Sequence, residues 1–231
     1  CDATADLLLL AQEQGLLERT VVVILSDHGE EFWDHFPGFS RHGHSLYGEI
    51  LDVPLMVFDP RWSPSGWQAI DQEVSLVDLV PTVADLLGLP LTMQVDGVSL
   101  VEGMRGSVIR RPVPILAIQR DARRDLRIRG CLIADGVKLI EPLLQPPLPF
   151  SRHYPCFNYP LSRELYDLRH DAGEHDDLSG GQTARADSLA DHLRWALRAV
   201  HPSAPDEAAY AQPLSLELRR QLEAAGYVLE P

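Results

Sequence analysis

Four of the nine histidines fall within one short stretch of the chain, and a carboxylate stands beside the first of them. Asp27 and His28 follow the apolar run at residues 21–25, with Ser26 between them and the run. Ligands and metals collect beyond the carboxyl ends of strands in open α/β sheets, so we expect the chemistry to lie there. The other three histidines of this stretch are His35, His42 and His44. This stretch is therefore the first candidate for an active site.

Two apolar runs must position these side chains. Residues 21–25 are too few for a helix and mostly β-branched, which predicts a strand buried on both faces. A second run at 53–58 predicts another central strand that brings the intervening loop back to the sheet. A histidine-rich loop between two buried strands is typical of an active site. The alternative is a polar surface loop whose histidines are incidental.

Composition sets the class of protein. The chain has 231 residues, of which 45% are hydrophobic and 23% charged, as in an ordinary globular protein. The net charge of −14 argues against a nucleic-acid partner and against anionic membrane surfaces. The apolar runs are too short to be transmembrane segments. No basic segment of a signal peptide is visible at the start, and the compartment stays open between cytoplasm and periplasm.

The cysteines point to no structural cross-link. Cys1, Cys131 and Cys156 are odd in number and show no paired spacing. Neither a disulfide framework nor a zinc knuckle is therefore expected.

The remaining pattern predicts two parts that meet near residue 120. Residues 1–119 read as an α/β layer that carries the candidate site, and residues 120–231 as a smaller α+β subdomain and tail. The Asp135-Gly136 pair predicts a tight hairpin. Asp78 is expected to cap a helix that Gly88 ends. The predicted helices are at 2–15, 78–87, 183–200 and 215–225. The predicted strands are at 114–119, within 126–140 and at 164–168, with irregular chain at 94–111.

Several ordered motifs carry a resemblance to a known family. They are Ser-Asp-His-Gly-Glu at 26–30, His-Gly-His-Ser-Leu-Tyr at 42–47, Val-Pro-Leu at 53–55, residues 74–82 with 96–100, Gly-Val-Lys-Leu-Ile at 136–140, and Glu-Leu-Tyr-Asp-Leu at 164–168 with 171–174. In this order they resemble the sulfatase branch of the alkaline phosphatase superfamily, over nearly the whole chain. The resemblance implies an α/β fold in which an alkaline-phosphatase-like sheet with flanking helices is present in part. A small carboxy-terminal α+β subdomain with an antiparallel sheet follows it.

The resemblance also implies a function. Such proteins are metal-dependent hydrolases of sulfuric esters, which suggests a small-molecule or glycan sulfate ester as substrate. Asp27 and His28 match the positions of divalent-metal ligands, and His44, with His42 as the other candidate, matches the residue that contacts the sulfate. Calcium is the usual metal of the family. His28 stands where asparagine is commonest, and an imidazole suits manganese or zinc better than calcium.

Two departures from the family pattern leave other interpretations open. The nucleophile motif Cys-x-Pro/Ala-x-Arg is not matched, because residues 1–5 lack the arginine. The paired aspartates that open the family's fold are also absent, so the chain resembles a carboxy-terminal portion and is expected to be inactive alone. The Asp-His pair also occurs in phosphonate and phosphodiester hydrolases and in phosphoglycerol or phosphoethanolamine transferases. A catalytically inactive fragment or binding module is the third possibility.

Overall fold

The computed structural model describes residues 2–35, 42–43, 45–62, 67–111, 114–121, 126–143 and 162–200. His44 and the helix expected at 215–225 lie outside these residues. The chain divides into two units, Cys1–Arg194 and Trp195–Pro231, and the described part of the second is the end of one helix. The predicted division near residue 120 falls inside the first unit, within a strand, and stays a prediction.

Five helices and six strands make up the regular structure of the described residues. The helices are α1 (Asp2–Glu13), α2 (Gly48–Leu51), α3 (Leu79–Leu87), α4 (Val101–Met104) and α5 (Thr183–Val200), with 3-10 turns at Leu17–Arg19 and Leu76–Asp78. The strands are β1 (Val22–Leu25), β2 (Leu55–Phe58), β3 (Ile115–Asp121), β4 (Leu126–Ala134), β5 (Val137–Pro142) and β6 (Glu164–Asp167). None of the described helices is long and apolar enough to cross a membrane.

Strands β1 and β2 form an antiparallel pair, with Leu25 opposite Leu55. The loop that leaves the end of β1 therefore returns to the same end of this strand pair, where β2 begins. The prediction that β1 is buried on both faces is wrong, because residues 22–24 are only partly buried and Leu25 is 36% exposed. Among the described residues, β2 is the one strand paired with β1. On α1, Leu7 and Leu9 also point to solvent, with exposures of 65% and 57%.

The second sheet is antiparallel in the order β3-β4-β5-β6. The predicted hairpin is confirmed between β4 and β5, where Asp135 and Gly136 have φ values of 52° and 72°. Left-handed conformations at both positions are what a two-residue type I′ turn requires. Helix α5, also predicted, packs on this sheet: a Cβ at Gly130 would lie 3.2 Å from a methyl group of Leu193.

The segment before α3 differs from the prediction. Asp78 occupies the N-cap position of α3 as predicted, but its side chain makes no capping hydrogen bond to that helix. It forms a capping box with Ser75 on the preceding 3-10 turn, where its carboxylate accepts a hydrogen bond from the Ser75 backbone N–H at 2.8 Å. Asp78 is fully buried because it also pairs with Arg111. Gly88 ends α3 in the left-handed conformation, as expected. The region expected to be irregular contains the short helix α4.

A cluster of buried apolar side chains joins the loop after β1 to the four-stranded sheet. Its members are Leu46, Tyr47, Cys131, Ile140 and Tyr166. Leu46 and Tyr47 immediately precede α2, and the other three come from β4, β5 and β6. The histidine-containing segment is therefore packed at its carboxyl end against the second sheet.

Candidate functional site

Asp27 and His28 lie in a tight turn immediately after β1. The Ser26 hydroxyl donates a hydrogen bond to the His28 carbonyl oxygen at 2.7 Å, and the His28 N–H donates to Asp27 Oδ1 at 3.0 Å. Both side chains face solvent, with 82% of the Asp27 side chain and 42% of the His28 side chain exposed. The turn thus presents a carboxylate and an imidazole side by side at the edge of the sheet.

Gly29 allows this turn to contact α2 directly. Its N–H donates to the carbonyl oxygen of Ile50 at 2.9 Å. A Cβ at position 29 would lie 2.0 Å from the backbone carbonyl oxygen of Glu49, far inside van der Waals contact. Only glycine fits this close approach, which explains the glycine of the Ser-Asp-His-Gly motif in physical terms.

The hydrogen bonding of His28 fixes which ring nitrogen can bind a ligand. Nδ1 lies 2.7 Å from the carbonyl oxygen of Gly29. A carbonyl oxygen only accepts, so Nδ1 carries the proton and donates it. Nε2 keeps its lone pair when the ring is neutral and lies 3.8 Å from Asp27 Oδ2. A backbone acceptor on one ring nitrogen is the usual arrangement behind a metal-binding histidine.

His42 lies next to His28, as its candidate role requires. The two rings stack with their centroids 4.4 Å apart. His42 Nδ1 lies 3.0 Å from Glu30 Oε2, and the carboxylate makes Nδ1 the protonated nitrogen. Nε2 of His42 is then the nitrogen that can face an incoming anion. The sequence alone did not predict that Glu30 binds His42. Its position two residues after His28 was the only signal for this contact.

His35 lies away from this exposed group and is packed in the protein. Only 12% of its side chain is exposed, and its ring stacks on Tyr47 with centroids 3.8 Å apart. Nε2 lies 3.2 Å from the Glu174 carbonyl oxygen, and Nδ1 lies 3.3 Å from Glu49 Oε2. Burial raises the pKa of the Glu49 carboxyl, and the hydrogen bond from His35 acts in the opposite direction. His35 therefore shapes the segment rather than the exposed surface of the site.

The donor atoms of Asp27 and His28 fit a divalent metal as two of its ligands. Carboxylate oxygen and imidazole nitrogen both bind such ions, and here they are adjacent and exposed. Over the described ranges, no group of three or more His, Cys, Asp or Glu side chains is arranged to hold a metal. His44, which was predicted to contact the sulfate and not the metal, lies outside those ranges. Asp27 and His28 thus offer two adjacent donor groups, and their assignment as metal ligands stays a prediction.

Cys131 does not provide a nucleophile. It is fully buried on β4, and burial raises the pKa of its thiol to about 12. A thiol in this state is neither ionised at neutral pH nor accessible to an ester.

Known proteins match this chain in the region that carries the site. A sequence model described as Sulfatase matches residues 2–89. The arylsulfatase K of Xenopus laevis is 35% identical over 106 residues, which cover 46% of this chain and 19% of that relative. The arylsulfatase K of Homo sapiens is 34% identical over 96 residues, covering 42% and 17%. The part of the chain that carries the candidate site is therefore similar to sulfatases.

The matched region is a small part of those relatives. At most 19% of their length is matched. Sulfatases in general depend on a divalent metal. The matched residues 2–89 include Asp27, His28 and His42. The assignment of individual metal ligands in this chain stays a prediction that the turn geometry supports.

Solved structures confirm the predicted fold of this chain. The phosphonate monoester hydrolase of Agrobacterium radiobacter superimposes with a TM-score of 0.65 at 20% identity, covering 85% of this chain and 38% of that chain. A protein solved in complex with its substrate, D-glucosamine-2-N,6-O-disulfate, gives a TM-score of 0.58 at 21% identity, covering 88% and 39%. The fold is therefore alkaline-phosphatase-like and present in part, as expected.

Proposed function

We propose that this chain carries the metal-binding part of a sulfatase-type hydrolase of sulfuric esters. The observation that carries the proposal is the pairing of Asp27 with His28 at the end of β1. His28 directs Nδ1 to the Gly29 carbonyl oxygen at 2.7 Å, which leaves Nε2 beside the Asp27 carboxylate. The curated relatives named arylsulfatase K support a sulfate ester as the substrate class. We propose a small-molecule or glycan sulfate ester.

Asp27 and His28 would hold the metal through a carboxylate oxygen and Nε2. We propose calcium first, as the usual metal of the family, with manganese or zinc as alternatives because of the imidazole ligand. A divalent ion at this place supplies positive charge that stabilises the oxyanion of a reacting ester. Asp27 and His28 contribute by fixing the place of that charge, since Gly29 anchors their turn to α2.

His44 and His42 are the proposed contacts to the charged ester oxygens. A sulfate ester develops negative charge on its oxygens, and a cationic donor stabilises that charge. His42 fits this role because Glu30 binds its Nδ1 and leaves Nε2 toward an incoming anion. Nε2 would donate to that anion in the imidazolium form, in which both ring nitrogens carry a proton. The assignment of His44 rests on its place in the motif, and it stays a prediction.

A phosphonate or phosphodiester substrate is the second candidate. It is motivated by His28, whose nitrogen ligand is unlike the asparagine oxygen of the commonest sulfatases. The same groups would then bind a phosphorus ester, because both esters present charged tetrahedral oxygens. A related transferase of phosphoglycerol or phosphoethanolamine would use the same Asp-His pair.

Calorimetric titration with Ca²⁺, Mn²⁺ and Zn²⁺ tests the metal assignment. We expect the chain to bind one of these ions and Asp27→Ala/His28→Ala to weaken that binding by more than about 100-fold, beyond the cost of altering an outer contact. Asp167→Ala/His170→Ala is the matched control. These residues form a second exposed carboxylate–imidazole pair, with Asp167 Oδ2 and His170 Nδ1 3.0 Å apart. Equal affinity in all three proteins contradicts the assignment.

Paired ester assays decide the substrate class. We expect no turnover by this chain alone and, for the intact natural protein, hydrolysis of an aryl sulfate in preference to the matched aryl phosphonate. A clear preference for the phosphonate replaces the first candidate by the second. Metal binding without turnover of any ester by the intact protein favours a binding module.

A further inference from the structure

One buried glutamate contacts the histidine-containing segment at two separate places. Glu174 lies in the turn after β6 and is 2% exposed. Its backbone carbonyl oxygen accepts a hydrogen bond from His35 Nε2 at 3.2 Å. Its side-chain Oε2 accepts a hydrogen bond from the backbone N–H of Gly48. His35 and Gly48 flank His42, so one residue of the second sheet holds the chain on both sides of it.

Glu174 is itself held firmly. Its Oε1 pairs with Lys138 Nζ on β5 at 2.6 Å, and both side chains are 2% exposed. Asp171 shapes the turn because its carboxylate accepts the backbone N–H groups of His175 at 3.1 Å and Asp176 at 2.9 Å. Glu174 adopts a φ of 55°, which is uncommon for a residue with a side chain. Such strain persists where surrounding contacts impose it.

The contact at Gly48 leads directly to the Asp27–His28 turn. Gly48 is the first residue of α2, whose last turn includes Ile50. The Ile50 carbonyl oxygen accepts the Gly29 N–H at 2.9 Å. The chain of contacts therefore runs from Lys138 through Glu174 and α2 to the turn that presents Asp27 and His28.

We propose that Glu174 is a positioning residue that fixes α2, and through it the Asp27–His28 turn, on the second sheet. A carboxylate that accepts a backbone N–H in a buried place makes a strong bond, and water cannot replace it. Fixing both flanks of a segment also lowers the entropy lost when its side chains meet a ligand. The inference rests on the proposed metal site for one of its two measurements, and the other is independent of it.

Two double variants separate the effect of the hydrogen bond between Glu174 and Gly48 from the effect of the buried Glu174–Lys138 ion pair. Glu174→Gln/Lys138→Met and Glu174→Leu/Lys138→Met both remove the two charges together, so neither leaves a buried ion without a partner. Glutamine keeps an oxygen that can accept the Gly48 N–H, whereas leucine, of similar size, has none. The two proteins therefore differ chiefly in the one hydrogen bond in question.

Hydrogen exchange is the first measurement. In the leucine variant we expect the Gly48 amide to exchange at least about tenfold faster than in the glutamine variant. The β5 amides, such as that of Leu139, are expected to exchange equally in both and report that the sheet is intact. In the unaltered chain the Gly48 amide should be protected. An unprotected Gly48 amide there, or equal Gly48 exchange in the two variants, overturns the proposal.

Binding of Mn²⁺ is the second measurement. We expect the leucine variant to bind the ion about tenfold more weakly than the glutamine variant, within the range seen when an outer contact of a metal ligand is lost. Equal affinities overturn the link from Glu174 to Asp27 and His28. If the unaltered chain binds no Mn²⁺, the same comparison is made with Ca²⁺ or Zn²⁺. If it binds none of the three ions, the metal assignment fails, and the exchange of Gly48 still decides whether Glu174 fixes α2.

Discussion

At the residue scale, the Asp27–His28 turn depends on the missing side chain of Gly29. In Gly29→Ala the new Cβ would meet the Glu49 carbonyl oxygen at 2.0 Å, and neither backbone can yield without moving α2. We expect the free energy of unfolding to fall by about 1–3 kcal/mol, the usual cost of overpacking. We also expect weaker binding of divalent metal. Urea denaturation and calorimetric titration measure the two effects.

Gly180→Ala is the control for this change. Nothing lies within 4 Å of a Cβ at position 180, so this variant should keep both stability and metal binding. If Gly29→Ala binds metal as tightly as Gly180→Ala, the contact between the turn and α2 does not position the ligands.

The sequence draws attention to the exposed candidate residues, but not to the buried residues that hold their turn in place. Asp27 and His28 follow a recognisable apolar run, and their roles depend on neighbours within a few residues. The contacts of Glu174 with His35 and Gly48 span 139 and 126 residues. No local pattern encodes such a distance, and Glu174 reads in the sequence as one more acidic residue in a motif. Its burial follows from the packing of the turn after β6 against the loop.

At the element scale, local signals succeed and predictions of burial fail. The hairpin at Asp135-Gly136 and the end of α3 at Gly88 were predictable, because each needs a backbone conformation that few residues adopt. The burial of β1 was not predictable, because an apolar run shows that a strand can be buried but not which residues would pack over it. Asp78 is of a residue type that often caps helices, but its side chain is held by an ion pair with Arg111 on a distant segment.

One ion pair joins the end of β2 to the end of α3. The Asp59 side chain is 1% exposed and receives hydrogen bonds from Arg61 Nε at 2.8 Å and from the Arg61 backbone N–H at 2.9 Å. Arg61 Nη2 also donates to the Leu86 carbonyl oxygen at 2.5 Å. These hydrogen bonds hold the pKa of the Asp59 carboxyl below its usual value of 3.8.

This shift predicts how Asp59 affects stability as the pH changes. A lowered folded-state pKa contributes stability above pH 3.8, and that contribution is lost as the pH falls through the lowered pKa. We expect Asp59→Asn to reduce the free energy of unfolding by about 1–2 kcal/mol at pH 7, from the weakened hydrogen bonds. The difference from the unaltered chain should shrink on acidification below pH 3.8 in urea denaturation. Asp6→Asn on α1 is the exposed control, and a difference that stays constant with pH contradicts the prediction.

At the scale of the whole described molecule, a buried polar group joins the site-bearing segment to the four-stranded sheet. The hydroxyls of Tyr47 and Tyr166 both donate to Glu164 Oε2, at 2.7 and 2.8 Å. Arg129 pairs with the other oxygen of Glu164, and the four side chains are nearly inaccessible to water. With the Glu174 contacts, this group makes the loop after β1 and the second sheet one packed structure. We therefore expect them to unfold together.

Alkaline pH should break this junction before it affects the exposed site. Burial, with the Glu164 carboxylate, raises the pKa of both tyrosines above the ordinary value of 10.0. The unfolded chain then releases these protons at lower pH than the folded chain, so stability is full below pH 10 and falls above it. Each tyrosine adds a slope of about 1.4 kcal/mol per pH unit. Urea denaturation between pH 8 and pH 11.5, roughly the range that spans tyrosine ionisation, measures this effect. We expect Tyr47→Phe/Tyr166→Phe to be less stable than the unaltered chain at pH 8. Above pH 10 its free energy of unfolding should fall less steeply with pH. Cys131 is common to both proteins, so the difference isolates the tyrosines, and parallel curves would show that Glu164 does not hold them neutral.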